Sequence, residues 1–560
     1  MPTFSQILQK RYTEKPEQVA LYLLQAGQPD QPVTYRQLVS GSAAYAAALA
    51  RQGVQPGEIV VLILQHGRDL IDAFFGAVLH GAVPAIMPFL TEKLLPERYR
   101  ADLASLVEIN QPAAIVTYPE FAPEVQAALK AGSSVRAVIV SDQVGPAVAP
   151  DFDGLGGLQR TPEDIVLLQH SSGTTGLQKG VALSHQAVWN QLENYSQALN
   201  LKAEDVIISW LPLYHDMGLI AGFLMPVLWG VPLVVMSPFE WVRAPYKLIQ
   251  AVSRYRGTLT WLPNFAYNFC AQKIRDRHLE GVDLSSWRAV INCSEPMRWA
   301  SHQAFLERFR PYGLRPEVLA TCYAMAENVF AVTQGGIDAP VTVDEIDRDL
   351  FQIERRAEPA GEGRPAIKML SAGRPIPNVQ VKVVAEDGRE LPERRLGEVA
   401  LHSNCMLTGY YHRPDATAKA FLEGWYLTGD YGYLAGGELY VSGRKKDLII
   451  VGGKNIYPQD LEHLAMEVPG VHPGRVVAFG IFNEEAGTED VFIVAEVDTE
   501  DAAEREQIAE AIRQSITRGS AVALRTVHLV GPQWMIKTSS GKNARLANRD
   551  KYLAEVGETA

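Results

Sequence analysis

An α/β fold is what this chain predicts: a large N-terminal domain of doubly wound sheets carrying a β-rich subdomain, followed by a small α+β C-terminal domain. Three observations predict it. Strands alternate with helices over the first half. Short strands separated by turn residues follow from about Leu370. A compact mixture of both begins near Lys446. With 560 residues the chain is too long for one core to keep growing. The expected division is therefore 1–445, with the β-rich part at about 370–445, and 446–560.

The elements follow in order. "FSQILQKRY" opens the chain as a polar helix, with no apolar signal core behind Met1. Thr34 can cap a helix through "YRQLVSGSAAYAAALARQG". "EIVVLIL" reads as a strand, "RDLIDAFFGAVLHG" as a helix, and "AVPAIM", "AAIVTY" and "RAVIVSD" as strands. "IVLLQ" and "GVALS" are strands on either side of a glycine-rich loop. Ser184 then caps a helix with Val188, Leu192, Tyr195 and Leu199 on one face. "GLIAGFLMPVLWGVPLVVM" carries no charge over 19 residues, but Pro226, Gly230 and Pro232 break it into a helix and a strand-like run. Buried core, not a membrane span, is the expectation. "VQVKVV", "GEVALH" and "GELYVSG" supply the β-rich part. "RVVAFGIF", "DVFIVAEV", a helix from about Asp501 to Arg518, "RTVHLV" and a tail with "KTSSGK" make up the C-terminal unit.

The composition, 47% hydrophobic and 21% charged, is that of an ordinary globular protein. A net charge of -12 argues against nucleic acid as a partner. Cys270, Cys293, Cys322 and Cys405 show no C-x-x-C spacing, which speaks against a zinc site and for a reducing, cytoplasmic location.

The chemistry starts at "HSSGTTGLQKG", His170 to Gly180. Ser171, Ser172, Gly173, Thr174, Thr175, Gly176 and Lys179 offer amides, hydroxyls and a cation to an anion. The spacing is not that of the common P-loop, and a surface turn would use the same residue types. Four distant motifs raise the odds: "YAMAE" (Tyr323 to Glu327), "YLTGD" (Tyr426 to Asp430), "SGRKKD" (Ser442 to Asp447) and "KTSSGK" (Lys537 to Lys542). In this order the five motifs resemble those of the adenylate-forming enzymes, the acyl-CoA synthetases, adenylation domains and luciferases.

The resemblance implies roles. The loop would hold the β- and γ-phosphates of ATP. Glu327, with the Thr175 hydroxyl, would hold Mg²⁺ as hard oxygen ligands do. Tyr323, with Ala324 and Met325 beside it, would lie against the adenine, and Ser294, Glu295 and Pro296 would border it. Asp430 would accept both ribose hydroxyls, with Arg444 near the sugar or phosphate. Lys446 falls at the hinge about which the small, mobile C-terminal domain swings. Lys542 would bridge substrate carboxylate and α-phosphate, offsetting the repulsion between two anions. His215 would stand beside the carboxylate. Taken alone, Asp430 could be a turn residue, His215 a core histidine and Lys542 a solvated tail lysine.

Within that family "LPLYHDMGLIAGFL", "LPNFAYNFC" and "NCSEPMR" resemble the fatty acyl-AMP ligases. An extra segment, about 343–368, with "LFQI" at its centre, resembles an insertion of that branch, and Leu350, Phe351 and Ile353 are its expected anchors on the large domain. "GKNIYPQDLE" also looks like this branch. The implied reaction adenylates a fatty acid and passes the acyl group to the thiol of a separate holo acyl carrier protein. Trp210, Met217, Phe223, Met225 and Phe265 are candidates to line the acyl pocket. The alternatives are an acyl-CoA synthetase, a nucleotide-binding protein without catalysis, and an amino-acid adenylating enzyme, for which Asp216 is the one candidate to meet a substrate ammonium.

Overall fold

The computed structural model describes residues 1–89, 96–170, 179–452, 454–484, 488–520, 522–538 and 541–556. Two parallel sheets form the N-terminal body. One has nine strands, in the order Arg374–Pro375, Ala331–Gly335, Leu319–Ala324, Ala289–Asn292, Leu259–Leu262, Ile207–Ser209, Leu233–Met236, Val19–Leu24 and Gln31–Thr34. Leu319–Ala324 through Val19–Leu24 run parallel, and antiparallel strands close both edges. The other sheet is parallel throughout: Val83–Ile86, Ile59–Ile63, Ala114–Thr117, Ala137–Val140. Its three leading strands are buried at every position, which is why they read as unbroken apolar runs.

The helices start where capping chemistry lets them. Thr34 accepts from the Gln37 amide while the Gln37 side chain returns to the Thr34 amide, closing a capping box on Tyr35–Arg51. Helix Arg68–His80 presses on it so closely that a Cβ at Gly76 would stand 2.5 Å from Tyr45 Cβ. The uncharged stretch resolves into wide π turns at Met217–Leu224, a helix Met225–Trp229, Gly230 at φ 78°, and the buried strand Leu233–Met236. No helix among the described residues is long and apolar enough to cross a membrane.

Strands Ile165–His170 and Gly180–Ser184 are antiparallel, with His170 opposite Gly180. The strands on either side of the glycine-rich stretch therefore pair with each other, and helix His185–Ala198 follows the second of them. Ser171, Ser172, Gly173, Thr174, Thr175 and Gly176 themselves lie outside the described residues. The β-rich part is an antiparallel sheet of Val379–Val384, Gly397–Ser403, Trp425–Ala435 and Phe421–Leu422, with Glu438–Arg444 paired to Trp425–Ala435.

From Ile449 onward the chain has hydrophobic clusters of its own. A hairpin, Ile449–Val451 with Lys454–Ile456, leads into helix Pro458–Met466. The sheet Val471–Asn483, Thr488–Val497, Leu524–Val530 packs against Ala502–Ser520, with Leu461, Ile493 and Ile512 fully buried between them. Helices Pro458–Met466 and Arg545–Val556 were not among the sequence expectations.

The extra segment is also more ordered than a loop. Val343–Asp347 and Ala366–Leu370 pair antiparallel around helix Arg348–Glu354, whose first amides donate to Asp347 Oδ1 at 3.0 Å. Its anchors are Ile346 and Phe351, buried with Tyr433, Tyr440 and Tyr457. Here the expectation needs correcting: Leu350 is only half-buried and Ile353 is 53% exposed. A seven-residue helix turns one narrow face inward, and that face belongs to Phe351.

Candidate active site

A cleft of about 3010 Å³ opens at the carboxyl ends of the parallel strands, where open α/β sheets bind ligands. Residues following Ile207–Ser209, Leu259–Leu262, Ala289–Asn292 and Leu319–Ala324 line it from the large body. Lys446, Gln459, Lys537 and Lys542 line it from the C-terminal side.

Glu327 follows strand Leu319–Ala324 in a tight turn. Tyr410 Oη donates to its Oε1 at 2.8 Å and lies 3.0 Å from Tyr426 Oη. Burial pushes the Glu327 carboxyl above the usual carboxylate range, although Tyr410 opposes the shift. Two residues on, Val329 sits at φ 62° and the Phe330 amide donates to Asn328 O at 2.7 Å, a three-residue turn that a β-branched residue adopts only under strain. The strain lies within three residues of a cleft carboxylate, a common place for it.

Asp430 lies on strand Trp425–Ala435. Tyr323 Oη donates to its Oδ2 at 2.6 Å, and Arg444 Nε stands 3.6 Å from Oδ1. Burial raises its pKa; Arg444, Tyr323 and Lys542 work against that. Tyr323 and Asp430, in motifs 107 residues apart, are thus one hydrogen-bonded unit.

Asp216 caps the wide turns, accepting from the Met217 amide at 2.7 Å and facing His215 Nδ1 at 2.7 Å. Burial acts to raise its pKa, but His215, the Met217 amide and Lys542 outweigh it and hold the carboxyl low. Asp216 lines the cleft, but His215, an amide and the Lys542 ammonium already engage it, which weighs against the amino-acid reading. Ser294 takes up a left-handed backbone, φ 69°, as the chain leaves strand Ala289–Asn292. Glu295 Oε2 accepts from the Phe265 amide at 2.9 Å, and Pro296 lines the cleft. Ala324 and Met325 line it too, and Lys179 Nζ lies 4.7 Å from the centre of the Tyr410 ring.

Lys542 reaches this group from the C-terminal tail. The Thr538 amide donates to Lys542 O at 2.7 Å and the Lys542 amide donates to Thr538 Oγ1 at 3.2 Å, closing the turn that carries it. Burial pulls its ammonium below the usual lysine range, while Glu295 and Asp216 pull it back up. Lys446 sits in the short turn Lys445–Asp447 between the last β-rich strand and the C-terminal hairpin.

Trp210, Met217 and Phe265 line an apolar wall of the same cleft, with the Met217 and Phe265 amides bound to Asp216 and Glu295. Phe223 and Met225 do not. Both are fully buried, and Phe223 packs on Phe74 and Phe75 at 6.2 and 5.4 Å. The wide turns carry that face toward the helix layer, so these two candidates are core. Behind this wall lies a further ring, wholly buried. Trp241 stacks on Trp210 at 3.6 Å with an interplanar angle of 10°.

Further residues escaped the sequence. Tyr410 carries no motif, though it meets Glu327. Arg298 Nη2 donates to Asp460 Oδ1 at 2.7 Å and Gln459 O at 3.1 Å, joining the large body to helix Pro458–Met466. Arg545 joins Asp447 at 2.6 Å and Glu462 at 2.8 Å, pinning the turn at Lys446 to the last helix. Long-range ion pairs of this kind leave no local periodicity.

Residues 8–411 match the AMP-binding enzyme family. A long-chain-fatty-acid–AMP ligase of Mycobacterium marinum is 32% identical over 554 residues, covering 90% of this chain and 86% of the relative. A medium-chain-fatty-acid–[acyl-carrier-protein] ligase of Moorena producens is 29% identical over 579 residues, covering 98% and 95%. A solved structure from a study of fatty acyl-adenylate ligases of E. coli and L. pneumophila aligns with a TM-score of 0.89 at 28% identity, over 100% of this chain and 98% of that one. The chain belongs to the adenylate-forming AMP-binding enzymes, in their fatty acyl-AMP ligase branch.

Proposed function

We propose that this enzyme condenses a fatty acid with ATP to give fatty acyl-adenylate and pyrophosphate, then passes the acyl group to the phosphopantetheine thiol of a separate acyl carrier protein. One observation carries the reading: Lys542 lines the cleft from a different domain than Glu327, Asp430 and Asp216, and its ammonium interacts with Glu295 and Asp216. A carboxylate oxygen attacks the α-phosphorus, the bond to the bridging oxygen breaks, and pyrophosphate leaves with the electron pair. Lys542 is the cation set between the two anions that must meet. Asp430, fixed by Tyr323 and Arg444, takes the ribose hydroxyls. Lys179 and the hydroxyls of the glycine-rich loop take the outer phosphates.

The fit to Mg²⁺ rests on Glu327. Burial disfavours its charge, the Tyr410 hydroxyl donates to it, and a divalent ion on ATP would restore the balance. One carboxylate plus phosphate oxygens and waters is the donor set Mg²⁺ favours, and the ion would neutralise phosphate charge. The acyl tail lies along Trp210, Met217 and Phe265. Support for a carrier as acceptor comes from the Moorena producens relative, a medium-chain-fatty-acid–[acyl-carrier-protein] ligase. Support for little transfer to CoA comes from the insertion: Asn455 Nδ2 donates to Gln352 O at 3.0 Å and Arg355 Nη2 to Asn455 Oδ1 at 3.3 Å, so the segment grips the hairpin just beyond the Lys446 hinge. ATP–pyrophosphate exchange that depends on added fatty acid tests the first step; exchange driven by amino acids instead would overturn it.

A further inference from the structure

Ten large hydrophobic side chains are exposed on the described surface, and three of them crowd one lip of the cleft: Phe239 at 38%, Val242 at 47% and Phe265 at 43%. Phe239 and Val242 lie one turn apart on helix Pro238–Arg243, and Phe265 is in the first turn of helix Asn264–Lys273. Trp241 roots both helices. It is wholly buried, with its ring 6.0 Å from Phe265 and 5.3 Å from Phe269. Phe89 extends the lip, 5.3 Å from Phe239. Scattered apolar side chains would need no explanation; a contiguous group at the mouth of a cavity does.

Charge narrows the occupant. Arg243 and Lys273 are exposed and line the same cleft. Nearby Lys247 is matched by Glu240 at 3.6 Å, but Arg243 and Lys273 enter no ion pair among the described residues. Aromatic and aliphatic side chains beside unmatched cations suit the headgroup region of an anionic bilayer. A chain of net charge -12 gains nothing from such a surface as a whole, so attraction has to be local to a patch like this one. Continuity decides the rest. Phe265 lies 6.3 Å from Trp210, so the lip adjoins the outer end of the acyl arm, and long-chain acids reside in bilayers.

We propose that this lip rests on an anionic lipid surface and takes the fatty acid directly from it. The inference builds on the reading of the cleft as a fatty acyl site. The test is co-sedimentation of the full chain with vesicles of phosphatidylcholine alone and of phosphatidylcholine with phosphatidylglycerol, beside pyrophosphate release from soluble octanoate and from vesicle-held palmitate. The expected result is binding to the phosphatidylglycerol vesicles that weakens with salt and falls about fivefold for each cation reversed in Arg243→Glu and Lys273→Glu. Phe239→Ser with Val242→Ser should lose binding too. All four substitutions are at exposed positions, and octanoate turnover should stay at the wild-type rate while palmitate turnover from vesicles falls. Wild-type protein that does not sediment, or variants that sediment equally well, overturn the proposal. If sedimentation is absent and the variants lose only acyl transfer to holo carrier protein, the lip is a carrier dock and the lipid reading is wrong. Absence of octanoate turnover in the wild type would instead strike the proposed function, with sedimentation still reporting on the lip.

Discussion

The polar and apolar parts of the cleft are made by opposite physics. In the polar part, carboxylates from separate motifs are each engaged by named donors: Glu327 by Tyr410, Asp430 by Tyr323, Asp216 by His215 and an amide. In the apolar part, rings lie on rings, with Trp241 on Trp210 and both near Phe265. The first depends on atoms placed to a few tenths of an ångström, so single substitutions should act on the rate. The second depends on shape and burial, so substitutions there should act on chain length and stability. The contrast can be broken or sharpened by experiment.

The largest effect is expected at Lys542. Lys542→Ala should lower kcat for pyrophosphate release by roughly two orders of magnitude or more, with circular dichroism and melting temperature unchanged. Near-normal turnover would remove the lysine from the reaction. Next comes Asp430→Ala. Losing charge-assisted bonds to two hydroxyls should weaken ATP by about 1.5–3 kcal/mol for each bond lost. That penalty should nearly vanish with 2′,3′-dideoxy-ATP. Equal losses with both nucleotides would mean that Asp430 serves only to hold Tyr323.

A smaller, directional effect is expected from the insertion. Ile346→Ser with Phe351→Ser should loosen the segment from Tyr433 and Tyr457, burying two side chains being worth roughly 1.5–3 kcal/mol each as an upper figure. Adenylation should persist while acyl-CoA appears at saturating CoA. Product partition measures it, and unchanged partition would exonerate the insertion. The smallest effect is a pH dependence. Glu327 has a folded pKa raised by burial. Stability tied to its proton is therefore full below the ordinary glutamate pKa and is lost as pH rises through the raised folded value. Glu327→Gln escapes that loss, so without ATP it should melt above wild type at neutral pH and converge with it below the ordinary glutamate pKa, even as activity falls. A difference that grows on acidification would contradict the assigned cause.

The same contrast explains what was legible in the sequence. Alternating strands and helices gave the parallel sheets because fully buried strands must be apolar throughout. Thr34 and Ser184 marked helix starts because a hydroxyl accepting from an amide is local chemistry. Glu327, Asp430 and Lys542 could be picked out because motifs record polar geometry. The acyl wall could be read only as apolar, and apolarity does not say which way a side chain faces. Phe223 and Met225 were therefore indistinguishable from Trp210, and Ile353 from Phe351, until turn geometry assigned their faces. Trp241, Tyr410 and the Arg298–Asp460 pair depend on contacts between distant segments, which no window of sequence contains.

Product analysis of the whole chain with ATP, a panel of fatty acids, and CoA and holo acyl carrier protein offered in parallel bears most directly on the central claim. The account predicts fatty-acid-dependent pyrophosphate release, acyl-adenylate as the enzyme-bound product, and acyl transfer to the carrier with little acyl-CoA. Efficient acyl-CoA formation with an unloaded carrier would contradict it.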